Sequence, residues 1–125
     1  MSYSLPLQKA IYTILSSLPL RVFDSVPSSA AFPYVSFGPS DEVEDDAECF
    51  EAATVTQQLD VWSRQPGFVE ARDIASRVRK ALHRQNIILE GAALVEIEVQ
   101  SIRYFRDPDG ITTHAVISIR SIIEQ

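Results

Sequence analysis

The clearest hydrophobic pattern lies in the middle of the chain, where a period of two is followed by a period of 3.6. In the segment 54–62, Val55, Leu59 and Val61 share one parity, which is typical of a strand with one buried face. After a Pro-Gly corner, apolar residues recur at helical spacing over 68–84 and charged residues fill the opposite side. Such a helix needs a partner, so we expect it to pack on a sheet that contains the preceding strand.

Weaker patterns on either side predict the remaining elements. They are a helix from Pro6 to Leu18, short strands at 21–23 and 34–37, and a hairpin over 95–120 that bends near Ser101 and turns at 107–110. Gly38-Pro39 is expected to stop the second short strand. We therefore predict one α+β domain, residues 1–125, with two helices packed on one face of a mostly antiparallel sheet.

One acidic segment interrupts the alternating patterns. Seven of the seventeen acidic residues lie close together in it: Asp41, Glu42, Glu44, Asp45, Asp46, Glu48 and Glu51. Because like charges repel one another, we expect a solvated loop over 40–52, or a hairpin whose flanks pair as extended arms. A solvated or interface loop is the usual role of such a charge run.

Composition excludes several classes of function. A net charge of -6 without a basic stripe is poorly suited to holding nucleic-acid phosphates. A single cysteine, Cys49, excludes an internal disulfide framework, and no apolar run approaches the roughly 18 residues of a membrane span. We therefore expect neither a secreted disulfide scaffold nor a membrane protein.

Few residues of the chain are candidates for catalysis. Neither His83 nor His114 occurs at a metal-ligand spacing, and the glycines form no phosphate-binding loop. Cys49 lies among acids, which raise the pKa of a thiol and suppress the nucleophilic thiolate. His83 is interpreted as a helix-end residue, and His114 as a solvated or subunit-contact residue. We predict no catalytic residue, no metal site and no cofactor.

Aromatic and cationic residues are the candidates for contacts between subunits, because tryptophan and arginine are enriched at protein interfaces. For the aromatic ones, a position in the core or at its rim is the simpler alternative. The candidates are Trp62, Arg64, Arg72, Arg79, Tyr104, Phe105 and His114.

Several separated stretches together resemble the tail completion family of tailed bacteriophages, prophages and gene transfer agents. The longer ones are Phe23-Asp24-Ser25-Val26-Pro27, Phe32-Pro33-Tyr34-Val35, Leu59-Asp60-Val61-Trp62-Ser63-Arg64 and Arg106-Asp107-Pro108-Asp109-Gly110-Ile111-Thr112-Thr113-His114. Shorter ones are Glu70-Ala71, Ile74-Ala75 and Ala81-Leu82. They occur in order over nearly the whole chain.

The resemblance implies a structural virion protein rather than an enzyme. Its copies would form a ring, usually hexameric, at the head-proximal end of the tail tube, where it stops tube growth and contacts the tube protein and the head-tail connector or stopper. DNA would only pass through the ring, and the acidic segment 40–52 would line its lumen or dock on the tube or neck. The protein would be in the virion after assembly in the host cytoplasm. Strands left at a free edge, such as 34–37 or 111–123, would favour such association. The alternatives are a small ligand-binding or adaptor domain with a pocket between helices and sheet, and a metal-dependent enzyme built on the acids.

Overall fold

The computed structural model describes residues 2–45 and 51–125, which form two helices and a six-stranded sheet. In chain order these elements are α1 (Ser4–Ser16), β1 (Val22–Phe23), β2 (Tyr34–Glu44), β3 (Ala52–Ser63), α2 (Val69–Leu82), β4 (Ile88–Leu89), β5 (Ala92–Arg106) and β6 (Thr113–Glu124). The strand order is β1-β2-β3-β6-β5-β4, and every neighbouring pair is antiparallel except β1 and β2. The predicted α+β class is confirmed.

Both helices lie on one face of the sheet. Helix α2 packs against β3, β5 and β6, whereas α1 contacts α2 and the two short outer strands β1 and β4. Because α1 reaches strands at both ends of the strand order, the sheet curls around the helices. Leu7, Ile11, Leu59, Val78 and Ile117 are among the side chains at 0 to 1% exposure in the core between these layers. Burying one such Leu or Ile contributes about 1.5 to 3 kcal/mol, so this layer carries much of the stability.

The alternation in β3 and β6 assigns the two faces of the sheet. Val55, Leu59 and Val61 are fully buried beneath the helices, as their shared parity predicts. Along β6, buried residues alternate without interruption with half-buried ones. The half-buried set and the even-numbered residues of β3 form the face opposite the helices, which we call the uncovered face. No element of the described residues packs on it.

Strand β2 extends beyond the predicted stop at Gly38-Pro39. It continues to Glu44, and its pairing with β3 shifts by one residue between Phe37 and Ser40. A proline cannot donate a hydrogen bond to a neighbouring strand, but a bulge leaves one residue unpaired and accommodates it. The prediction treated a bulge as a turn, because both are marked by glycine and proline.

The boundaries of the predicted acidic loop also change. Residues 40–44 belong to β2 and pair with β3, from Ser40 opposite Gln57 to Glu44 opposite Ala53. The backbone N–H of Asp45 then donates to the carbonyl of Ala52, so the flanks pair as extended arms. A paired strand satisfies its backbone groups and still directs carboxylates into water. Two acids of the predicted set, Asp46 and Glu48, lie outside the described residues.

The last third forms the predicted hairpin, with the bend in the expected place. The register of β5 against β6 shifts between Val99 and Ser101, and once more between Leu94 and Glu96. However, β6 is not an edge strand, because it pairs with β3 on one side and with β5 on the other. The open edges belong to β2 and β5, since the two-residue strands β1 and β4 cover only short parts of them.

Candidate interaction surfaces

An aromatic cluster lies on the uncovered face where β3, β6 and β5 run side by side. The pairing places Trp62 opposite His114, and His114 opposite Phe105. The indole and imidazole rings stack with centroids 3.8 Å apart and planes 12° apart, and Phe105 meets the imidazole edge-on at 4.8 Å. Three neighbouring strands thus build a firm apolar platform whose outermost member, Phe105, is 38% exposed.

Polar side chains on the same face are joined by hydrogen bonds. The carboxylate oxygen Oδ1 of Asp60 lies 2.7 Å from Nε2 of His114 and accepts a 2.9 Å hydrogen bond from the side-chain amide of Gln58. The indole N–H of Trp62 donates to the hydroxyl of Ser36 at 3.0 Å. Because that hydroxyl partners the indole and Nε2 of His114 partners a carboxylate, the cluster lacks the nucleophile–base pair that acyl transfer requires.

Gly38 is required by the same network. A Cβ atom at this position would lie 2.5 Å from Oδ2 of Asp60 and 3.2 Å from the side chain of Gln58. The bulge in β2 therefore serves two purposes: it accommodates Pro39, and it lets the backbone approach the buried carboxylate. His114 is only 12% exposed in its side chain, so its interpretation as a solvated residue is wrong.

Two arginines line a small recess of about 160 Å³ at the opposite end of the strands from the acidic segment, which we call the basic recess. The Nε–H of Arg64 donates to the hydroxyl of Thr112 at 3.3 Å, and its guanidinium carbon lies 4.3 Å from the ring centroid of Phe32. The guanidinium of Arg106 lies 5.1 Å from the ring centroid of Phe68. Aromatic faces stabilise and orient a guanidinium, so both cations are held at the mouth of this recess.

The β5–β6 turn supports the basic recess. Gly110 has φ +75° and closes the turn through its N–H to the carbonyl of Asp107. The carboxylate of Asp109 accepts hydrogen bonds from the backbone N–H groups of Ile111 and Thr112 and from the hydroxyl of Thr112. These bonds hold the pKa of Asp109 below its usual value, with a smaller contribution from the nearby positive charge of Arg64. Asp109 is thus committed to its own turn.

The outer side of α2 carries cations with different partners. The guanidinium of Arg72 lies 4.3 Å from the ring centroid of Tyr104, on the helix side of the sheet, whereas Arg79 points into solvent in the last turn. His83 follows the helix, and its Nδ1 accepts a 2.9 Å hydrogen bond from the N–H of Val99. Desolvation, then the charges of Arg79 and Arg84, lower the pKa of His83. His83 thus lies at the end of α2, as predicted, and its Nδ1 is a hydrogen-bond acceptor there.

Four carboxylates follow one another at the end of β2, and we call them the acidic edge: Asp41, Glu42, Glu44 and Asp45. All four are exposed. The first three lie on a stretch of β2 whose outer side pairs with no strand in the described residues, and Asp45 follows directly after the strand. Glu42 accepts a 2.7 Å hydrogen bond from the backbone N–H of Ser4 at the start of α1. In residues 2–45 and 51–125, none of the four forms an ion pair with a cation.

The remaining features concern metal ions, membranes and small ligands. Within residues 2–45 and 51–125, no group of three or more His, Cys, Asp or Glu side chains is arranged to hold a metal ion. Neither helix of these residues has the length and apolar run that a membrane crossing needs. An open groove of about 850 Å³ lies along the outer side of α1, next to residues 86–90. The space between helices and sheet, where a binding domain would hold its ligand, is filled by the core.

The predicted contact residues fall into separate places. Trp62, Phe105 and His114 meet on the uncovered face, Arg64 lies in the basic recess, and Arg72 packs on Tyr104 at the other face. Arg79 joins none of these groups. A contact role for each stays a prediction.

Sequence reasoning missed the residues that organise these clusters. Asp60 and Ser36 hold the uncovered face, while Arg106 and Asp109 complete the basic recess and its turn. One signal was present, because Asp60 is a charged residue inside a strongly apolar strand. Its partner could not be found, because the partner depends on the strand register.

Comparisons with known proteins match nearly the whole chain. The model of a family described as Tail completion protein gp17 matches residues 8–124. The Tail completion protein gp17 of Bacillus phage SPP1 is 29% identical over 112 residues, which cover 90% of this chain and 83% of that protein. The solved structure of bacteriophage SPP1 gp17 superposes with a TM-score of 0.65 at 28% identity, over 94% of this chain and 88% of that chain.

A second solved structure has a closer backbone. It is a chain in the virion of a native gene transfer agent particle, with a TM-score of 0.91 at 23% identity, and the match covers 99% of this chain and 98% of that chain. At this identity the likeness shows a shared fold. The two helices and the curled sheet are therefore an architecture that occurs in an assembled particle.

Proposed function

Because the chain belongs to the tail completion protein gp17 family, whose members are structural proteins and not enzymes, we propose that it completes the tail of a phage-type particle as a ring. The ring, a hexamer in this proposal, lies on the head-proximal end of the tail tube. There it stops tube growth and joins the tail to the connector or stopper proteins of the head. The observation that carries the proposal is the family match over residues 8–124.

Two features of the described residues support association with further copies. The outer sides of β2 and β5 are largely unpaired, and open strand edges promote association unless they are covered or blunted by charge. The uncovered face carries a stacked Trp62 and an exposed Phe105, residue types that are enriched at interfaces. A closed ring would cover such surfaces without leading to open-ended filaments.

The charge of the chain suits passage of DNA rather than binding of DNA. Each copy carries a net charge of -6, so a ring of copies would repel phosphates on average. A duplex that crosses the ring would not be held there.

The proposal is tested by reconstitution in the virus or transfer agent that encodes the chain. Deletion of its gene should leave DNA-filled heads and separate tails, and addition of the purified chain should restore joined particles. Joined particles in the absence of the chain, or no joining after its addition, would overturn the proposal. The matched control is a variant with the exposed Arg77–Asp73 pair reversed, which should restore joining as well as the unmodified chain does.

A further inference from the structure

The acidic edge and the basic recess lie at opposite ends of the same sheet. Glu44 pairs with Ala53, which pairs with Ile123 near the end of β6, whereas Arg106 pairs with Thr113 at its start. Ten residues of β6 separate these positions, and at ~3.3 Å per residue the separation is about 33 Å. A chain therefore cannot bring its own acidic edge to its own basic recess.

The basic recess offers hydrogen-bond donors of the kind that bind a small planar anion. Arg64 and Arg106 both line it, each against an aromatic ring, and in the described residues neither forms an ion pair with a carboxylate. The guanidinium group offers parallel N–H donors that match the two oxygens of a carboxylate. Asp109, the nearby acid, already accepts three hydrogen bonds within its own turn. Apart from the Nε–H of Arg64, which donates to Thr112, the guanidinium donors of the recess are therefore available to an incoming group.

We propose that the basic recess binds the acidic edge of a second copy of the chain, and that this head-to-tail contact closes the ring. The inference rests on the proposed function, because it names the contact between neighbouring copies. Two complementary surfaces at different places on one chain produce a heterologous contact, the kind that builds rings. Asp41 and Glu44 are the candidate ligands, since both are exposed and Glu42 is already bonded to the start of α1. The register places Asp41 on the uncovered face and Glu44 on the helix face, so one of the two enters the recess.

A DNA phosphate is the competing occupant of the basic recess. The net charge of -6 works against it, because an acidic chain repels a polyanion as a whole. The exposed carboxylates of a second copy are present at the concentration of the chain itself and need no other partner. We therefore assign the recess to the second copy.

The test is a charge swap across the contact. One variant reverses the charge of the basic recess (Arg64→Glu with Arg106→Glu), and a second reverses the charge of the acidic edge (Asp41→Lys with Glu44→Lys). A third variant carries all four changes. The mass of each variant in solution is measured by light scattering and sedimentation, with and without purified tail tubes. Trp62 fluorescence checks that each variant folds as the unmodified chain does. Reversal of Asp73 and Arg77, an exposed pair on α2, is the control.

Each single-side variant should associate at least about a hundredfold more weakly than the unmodified chain, because a contact between like charges replaces one between opposite charges. The four-fold variant should form rings again, and an equimolar mixture of the two single-side variants should form alternating rings with an even number of subunits. Rings that survive both reversals, as they would if the acids lined the lumen, overturn the inference and leave the proposed function intact. The inference is also overturned if the recess variant still forms rings but no longer binds a short DNA duplex that the unmodified chain binds, because the recess would then hold a phosphate. A wild-type chain that stays monomeric with and without tubes overturns the inference and the proposed function together.

Discussion

The indole ring of Trp62 lies flat on the imidazole ring of His114, with 3.8 Å between the ring centroids. Strands β3 and β6 place the two residues directly opposite each other, and Oδ1 of Asp60, on the same face, lies 2.7 Å from Nε2 of the imidazole. This relationship makes the uncovered face a rigid platform. As the single tryptophan of the chain, Trp62 also reports on this face by its fluorescence.

Replacement of Asp60 by Ala should destabilise the fold by about 2 to 4 kcal/mol. The change removes the acceptor of both His114 and Gln58 at a site that is 6% exposed, and buried donors without partners are costly. Denaturant unfolding followed by Trp62 fluorescence measures the effect. The control is Asp73→Ala, which breaks an exposed ion pair with Arg77 and should cost less than about 0.5 kcal/mol. Equal losses in the two variants would contradict the network.

Replacement of Gly38 by Ala should cost about 1 to 3 kcal/mol, because the new methyl group would be 2.5 Å from the carboxylate of Asp60. Chemical denaturation of the single variants and of the double variant with Asp60→Ala measures the coupling. The double variant should lose less than the sum of the two, since one change removes the atom that the other meets. Gly67→Ala is a useful comparison, because its cost arises from φ +79° and not from a neighbour. Strict additivity between Gly38 and Asp60 would refute the steric argument.

Replacement of Ser121 by Ala should leave stability unchanged or raise it by up to about 1 kcal/mol. In the described residues its hydroxyl is buried without a hydrogen-bond partner, between Val55 and Ile97 on the helix side of the sheet. Removing an unsatisfied polar group from an apolar site avoids its desolvation cost. Thermal and denaturant unfolding test this, with Ser63→Ala as the control, because the Ser63 hydroxyl donates to Glu70 and its loss should destabilise. A clear loss of stability in Ser121→Ala would show that the hydroxyl has a partner.

Asp109 should contribute stability that disappears in acid. Its pKa is lowered in the folded chain from the ordinary value of 3.8 by hydrogen bonds from Thr112 and Ile111. A carboxyl group with a depressed folded-state pKa stabilises the fold above its unfolded pKa, and this contribution is lost as the pH falls through the folded pKa. Unfolding measured from pH 7 to pH 2 should therefore show a smaller acid-dependent loss for Asp109→Asn than for the unmodified chain.

The control for that prediction lies in the same turn. The side chain of Asp107 forms no hydrogen bond in residues 2–45 and 51–125, so Asp107→Asn should leave the acid profile close to that of the unmodified chain. Identical profiles for Asp109→Asn and Asp107→Asn would contradict the role assigned to Asp109.

Periodicity within one element could be read from the sequence, because a side chain's direction follows directly from its position along a helix or strand. The parity of Val55, Leu59 and Val61 thus identified their buried face, and the shift of apolar parity located the bulge before Ser101. The family resemblance rests on motifs that occur in order along the whole chain, and the match over residues 8–124 confirms it.

Register and strand order could not be read from the sequence, because they depend on contacts between distant segments, whereas the β5–β6 hairpin could be, because its turn is local. Nothing in the local pattern places Trp62 opposite His114, or β6 in the centre of the sheet. Gly38-Pro39 was taken as a stop because a bulge and a turn use the same residues. The arginines of the basic recess are distant in sequence, and only the folded sheet brings Arg64 and Arg106 to one end.

The most direct test of the central claim is electron microscopy of purified tail tubes after addition of the chain. The proposed function predicts a ring of extra density on one end of each tube and no further tube growth when tube protein is added afterwards. Tubes that stay bare at both ends and continue to lengthen in the presence of the chain would contradict it.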